Sequence, residues 1–184
     1  AEPTNDNDPA TNPQPGEAPN GQSNRTVDFG FSPAYSLGNR VWKDLNNNGV
    51  IDGAEVGVDG VVLRLLTSPG LVQATDINGV LVADKTTSGG GYYRFDNLPA
   101  GDYVVEVRAS NFTSPGMLTG CVSSPVDAGD PDTDVDDSDD NGVGVTPNGT
   151  TGIRSAPVTV GEGNGTAEPT NDNDPATNPQ PGEA

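Results

Sequence analysis

Apolar and polar residues alternate along the middle of the chain with a period near two. The segments Tyr35–Trp42, Val61–Leu66, Val80–Ala83, Tyr92–Phe95, Tyr103–Val107 and Ala156–Val160 carry this pattern and are rich in β-branched and aromatic residues. Each is predicted to be a strand that buries one face. Turn formers separate them, at Asn78-Gly79, Ser88 to Gly91 and Pro99 to Asp102. Such clusters supply the backbone conformations that close antiparallel hairpins. No segment of useful length shows a helical period. The prediction is an all-β fold, an Ig-like antiparallel β-sandwich, with Trp42, Leu63, Leu65, Tyr93, Phe95, Tyr103, Val105 and Val107 in its core.

One further alternating segment, Thr26-Val27-Asp28-Phe29-Gly30-Phe31, stands ahead of the sandwich and just after an acidic arm rich in Pro and Asn, residues 1–25. Residues 1–18 of that arm recur without change as residues 167–184. The parent is therefore a tandem array of near-identical units, and this chain reads as an internal piece of it. The expected organisation is an arm at 1–25, a strand at 26–31 belonging to the preceding or a neighbouring repeat, a sandwich at 32–165 with an Asp-rich insert at about 111–150, and the next linker from 166. An open sheet edge accepts an extra strand through main-chain hydrogen bonds. Residues 26–31 are accordingly expected to pair with another copy, which makes neighbouring copies of the same repeat the natural partners.

Composition narrows the function. Only 31% of residues are hydrophobic and 5% aromatic, with 25 Gly and 17 Pro, so the core is small for the chain length. Eight basic residues against 27 acidic ones give a net charge of −19. That charge repels nucleic acid and anionic lipid and favours cations. No apolar run approaches the roughly 20 residues a membrane helix needs. The single cysteine, Cys121, allows no intrachain disulfide and reads as a small buried hydrophobe beside Leu118 and Val122. The chain has no histidine, which removes the commonest general base. Asp76, Asp84, Asp96 and Glu106 stand at no spacing that singles out a glycosidase pair. The protein is read as a non-enzyme. Asn-X-Ser/Thr triplets at Asn24, Asn111, Asn148 and Asn164 discriminate little in a chain so rich in Asn and Thr.

The sharpest chemical motif runs from Asp44 to Glu55. Asp44, Asn46, Asn48, Asp52 and Glu55 occupy loop positions 1, 3, 5, 9 and 12, with Gly49 at position 6 and the Val50 carbonyl at position 7. This is the spacing of an EF-hand loop. Calcium takes six to eight hard oxygens in a flexible shell, and position 6 must turn sharply. Strands rather than helices flank the loop, so it is expected to hold a fixed structural ion. A second constellation, Asp127, Asp130, Asp132, Asp134, Asp136, Asp137, Asp139 and Asp140, gathers eight aspartates whose mutual repulsion bound Ca2+ would relieve. Calcium is the expected cofactor, and it would also order the acidic extended arms.

These motifs together resemble the SdrD B-like repeats of Gram-positive surface proteins, relatives of the collagen-adhesin B domain. The resemblance rests on Leu37-Gly-Asn-Arg-Val-Trp42, the Asp44–Glu55 loop, Gly57-Val-Asp-Gly-Val-Val62, the Gly91–Tyr103 stretch and Thr26–Phe31. It implies a calcium-stabilised, prealbumin-like sandwich serving as a stalk or spacer in secreted, cell-surface proteins, with Asp44, Asn46, Asn48, Asp52 and Glu55 as ligands. Some relatives carry a Lys–Asn isopeptide bond. Lys43 abuts the loop, Glu106 is out of phase and 26–31 contains no Asn, so that bond is not expected. The functional expectation is a structural repeat of an extracellular fibre or adhesin stalk; the alternative is a module that binds a host protein or glycan through an exposed aromatic platform.

Overall fold

A computed structural model of the protein describes residues 29–52, 54–124 and 140–162. The chain divides into two units, Ala1–Pro33 and Ala34–Ala184. Of the first, residues 29–33 are described. They carry no strand, and Phe29 and Phe31 are 80% and 92% exposed.

The second unit is built of antiparallel strands. They are β1 (Tyr35–Arg40), β2 (Val62–Thr67), β3 (Lys85–Thr86), β4 (Tyr92–Leu98), β5 (Gly101–Val107), β6 (Gly142–Asn148), β7 (Gly152–Ser155) and β8 (Val158–Val160), with a short 3-10 turn at Ala109–Phe112. β1 and β4 form a two-stranded sheet. The larger sheet runs β3-β2-β5-β7-β6, and β8 also pairs with β5. β7 and β8 lie end to end along one edge of β5, against Glu106–Val107 and Gly101–Tyr103 respectively. Between them the chain passes Pro157, which cannot donate to a ladder, and the Ser155 hydroxyl accepts the Val105 amide.

Both sheets feed one core. Leu63 and Leu65 of β2, Phe95 and Leu98 of β4, and Tyr103 and Val105 of β5 are buried together with Val61, Ala74, Val82, Leu118 and Val160. Tyr35 and Leu37 of β1 pack against them. The fold is thus the antiparallel sandwich that the alternation predicts. β1 approaches β4 closely at Gly38, where a Cβ would lie 2.2 Å from the Tyr93 carbonyl oxygen. The Asn78-Gly79 turn forms as predicted: the Asp76 carboxylate accepts the Asn78 and Val80 amides, and Gly79 has a φ of 77°. Ser88 and Tyr92 close a second turn over three glycines of positive φ, two of whose amides Asp59 accepts.

Three predictions need correction. Val80–Ala83 is not a strand; it contributes one bridge, Thr75 to Leu81, and of its residues only Val82 is buried, Val80 and Leu81 both being 61% exposed. Strand β6 falls within residues 111–150, the region read as an Asp-rich insert, and β7 follows just after it. Trp42, expected in the core, is half-buried.

Candidate functional site

The loop from Asp44 to Glu55 is clamped at its base by strand pairing. The Lys43 amide donates to the Val56 carbonyl at 3.1 Å and the Val58 amide to the Val41 carbonyl at 2.8 Å. These bonds extend β1 and fix the loop's two ends on the sandwich. Gly49, at position 6, has a φ of 79°, the left-handed conformation that the turn requires. Asp44 is the hub. Its carboxylate accepts the Asn47, Asn48 and Gly49 amides and, at 2.6 Å, the Ser124 hydroxyl. Burial pushes the Asp44 carboxyl up, but the Ser124 hydroxyl and the Gly49, Asn47 and Asn48 amides outweigh it and hold the group below its usual range.

The other loop positions converge through internal hydrogen bonds. The Asn46 and Asn48 amide nitrogens donate to the Asp52 carboxylate at 3.2 and 2.9 Å. Their oxygens accept the Asn48 and Val50 amides. Glu55 folds back across the loop, one oxygen accepting the Leu45 amide at 2.7 Å and the other the Asp52 amide at 3.2 Å. Among the described residues no three acids gather as a bare metal cluster. Asp44, Asp52 and Glu55 are interleaved with the Asn46 and Asn48 side-chain amides, so the loop carries hard-oxygen groups and no sulfur or imidazole, with both amide nitrogens turned toward Asp52. That donor set fits calcium, and the asparagine amides need only turn to present oxygen in place of nitrogen.

Sequence spacing gave no hint of what holds the loop from outside. Ser124 bonds Asp44 across 80 positions, and the Asp140 amide donates to the Gly49 carbonyl at 2.9 Å. Residues 124 and 140 bracket the aspartate-rich segment, so the described ends of that segment meet on the loop. The Asp140 carboxylate accepts the Ser123 hydroxyl and the Gly142 amide. Asp127, Asp130, Asp132, Asp134, Asp136, Asp137 and Asp139 lie outside the described residues, as do Thr26, Val27 and Asp28.

Asp84, Asp96 and Glu106 have structural partners. Asp84 pairs with Arg64 and Arg108, Asp96 with Arg94 and Ser36, and the buried Glu106 with Arg154 at 2.7 Å. Glu106 is thereby occupied by a guanidinium rather than placed beside a lysine. Asn111 is 3% exposed and bonds Val62 and Arg108 main-chain atoms with its whole amide, so that triplet serves the fold. Cys121 is half-buried against the core.

An antiparallel sandwich carrying an EF-hand-like loop between strands defines a class of β modules. The chain belongs to the SdrD B-like domain family, whose pattern matches residues 35–141. It is 44% identical over 102 residues to serine-aspartate repeat-containing protein I of Staphylococcus saprophyticus, a match covering 54% of this chain and 5% of that protein. It is 36% identical over 129 residues to the fibrinogen-binding protein of Staphylococcus epidermidis, covering 69% and 10%. Colossin-A of Dictyostelium discoideum is 36% identical over 106 residues, covering 56% and 1%. The chain therefore spans a small part of each relative's length.

Proposed function

We propose that this domain is a calcium-stabilised structural repeat of an extracellular, cell-surface protein, a non-enzymatic stalk or fibre unit joined to neighbouring copies through residues 26–31. The observation that carries the reading is the Asp44–Glu55 loop, three carboxylates and two side-chain amides clamped by the β1 extension at its base and held by Ser124 and Asp140. A cation there would offset the charge of Asp44, Asp52 and Glu55 and lock together three segments distant in sequence. The chain's charge of −19 makes such neutralisation valuable for compaction. The relatives' names support a repeat module, and the exact recurrence of 1–18 as 167–184 supports an array. No helix among the described residues is long and apolar enough to cross a membrane. The fully exposed aromatics among the described residues are Phe29 and Phe31, within the proposed assembly segment, so no aromatic platform favours the adhesive alternative.

Calcium titration calorimetry tests the proposal. Wild type is expected to bind, with Kd on the order of 10⁻⁴–10⁻³ M for an extracellular module. Glu55→Gln should lose at least tenfold in affinity. Equal binding by Glu55→Gln and Asp44→Asn would place the ion elsewhere.

A further inference from the structure

The two sheets do not close on one another at the end of β1. A cavity of 380 Å³ opens there, lined by Asn39 to Asp44 of the β1 extension and, opposite, by residues that include Tyr93, Val105, Val107, Phe112 and Ile153. Among the described residues β1 has one ladder neighbour, β4, so its other edge presents free main-chain groups. Two lining residues carry buried donors with no partner, Trp42 at Nε1 and Asn141 at Nδ2. Buried donors are nearly always paired, so this wall is built for an acceptor.

We infer that this cavity is the receptor for residues 26–31 of a second copy, whose Phe29 and Phe31 fill it while its main chain pairs with the free edge of β1. The inference rests on the strand-exchange reading above and adds the receiving site. Phe29 and Phe31 are two apart and share one face of an extended strand, and both are exposed in this chain. Size agrees: an apolar cavity of about 150 Å³ accommodates one benzene, so two rings need roughly 300 Å³. The carbonyls of an added strand supply the acceptors that Trp42 and Asn141 lack. Register argues for a second copy over the chain's own segment. A hairpin through residues 32–34 would set Phe31 opposite Tyr35 and Phe29 opposite Leu37, at the end of β1 away from the cavity. A strand from another copy is free of that constraint, and its head-to-tail contact extends into a fibre.

Reciprocal full-length variants in calcium test this, with the single tryptophan, Trp42, as reporter. Phe29→Ala with Phe31→Ala removes the donor rings; Val105→Phe with Val107→Phe fills the receptor from inside. Each variant alone should sediment as a monomer, and their equimolar mixture should give a species of twice the mass. A synthetic Arg25–Phe31 peptide added to the donor-deficient chain should shift Trp42 emission to shorter wavelength, and this titration decides alone if the filled variant does not fold. Undiminished assembly of the donor-deficient chain would overturn both this inference and strand exchange. Loss of assembly in that chain, with normal assembly of the filled variant and Trp42 unmoved by peptide, would leave strand exchange standing and put the receptor elsewhere. A wild type that stays monomeric at all concentrations, with Trp42 shifted only when Phe29 and Phe31 are removed, would mean closure by the chain's own strand and would also overturn the inference.

Discussion

Arg154→Met should be among the most damaging single changes outside the core. Glu106 and Arg154 stand directly opposite each other where β5 pairs with β7. Arg154 reaches the same Glu106 oxygen with Nε at 2.8 Å and Nη2 at 2.7 Å. The Glu106 side chain is 7% exposed, against 30% for Arg154, so removing the arginine strands a desolvated carboxylate rather than returning it to water. Breaking a buried pair from one side costs about 3–5 kcal/mol. At roughly 4 °C per kcal/mol for a domain of this size, the midpoint should fall by about 12–20 °C. Glu106→Met combined with Arg154→Met removes both charges and should recover most of the loss, because an apolar pair of similar volume is nearly neutral or better. The assay is thermal and urea unfolding of the two single variants and the double, read as a double-mutant cycle. A loss below about 1 kcal/mol in Arg154→Met, or a double variant worse than both singles, would refute the reading of Glu106 as a desolvated carboxylate that depends on Arg154.

Acid should weaken the fold through several carboxylates at once. Burial raises the Asp84 carboxyl, but hydrogen bonds and charge from Arg64 and Arg108 win and hold it below its usual range. Asp59 is held low by the Gly91 and Gly90 amides, and Asp76 by the Val80 and Asn78 amides against partial desolvation. A carboxyl depressed in the folded state adds stability that is complete above its unfolded pKa, about 3.9, and is lost as pH falls through the folded value. Unfolding midpoints should therefore drop below about pH 4, with a shallower drop in Asp84→Asn. Gly57→Ala should destabilise strongly whatever the pH, since its Cβ would lie 1.5 Å from the Gly90 carbonyl oxygen and force apart the clamp at the loop's base; circular dichroism against temperature reads this directly.

Much of this architecture is legible in the sequence, for physical reasons that also explain the gaps. β1, β2, β4, β5 and β8 advertise themselves because one face of each enters a shared core, which forces alternation of Tyr35 with Leu37, Leu63 with Leu65, and Tyr103 with Val105. The turn in the Asp44–Glu55 loop is legible because it is local and Gly49 supplies the positive φ it requires. β6 and β7 are not, since Gly-Val-Gly-Val-Thr-Pro and Gly-Ile-Arg-Ser are short and glycine-rich, and they are placed by the ladder of β7 to β5 and of β6 to β7. Ser124 and the Asp140 amide escaped for a related reason: contacts across 80 residues leave no periodic trace. Trp42 misleads because its size suggests core, whereas it is half-buried and lines a cavity with its indole nitrogen unpaired.

The most direct test of structural calcium is thermal unfolding with light scattering, in about 10 mM calcium and then in excess chelator at matched ionic strength. With a Kd of about 10⁻⁴ M, the tight end of the expected range, that calcium stands roughly a hundredfold above Kd and adds about 2.7 kcal/mol to the folded state. The midpoint should then fall by roughly 10 °C in chelator, with loss of scattering from assembled chains. Superimposable curves in the two buffers would mean that the Asp44–Glu55 loop satisfies its carboxylates internally and binds no structural ion, and the account would be wrong at its centre.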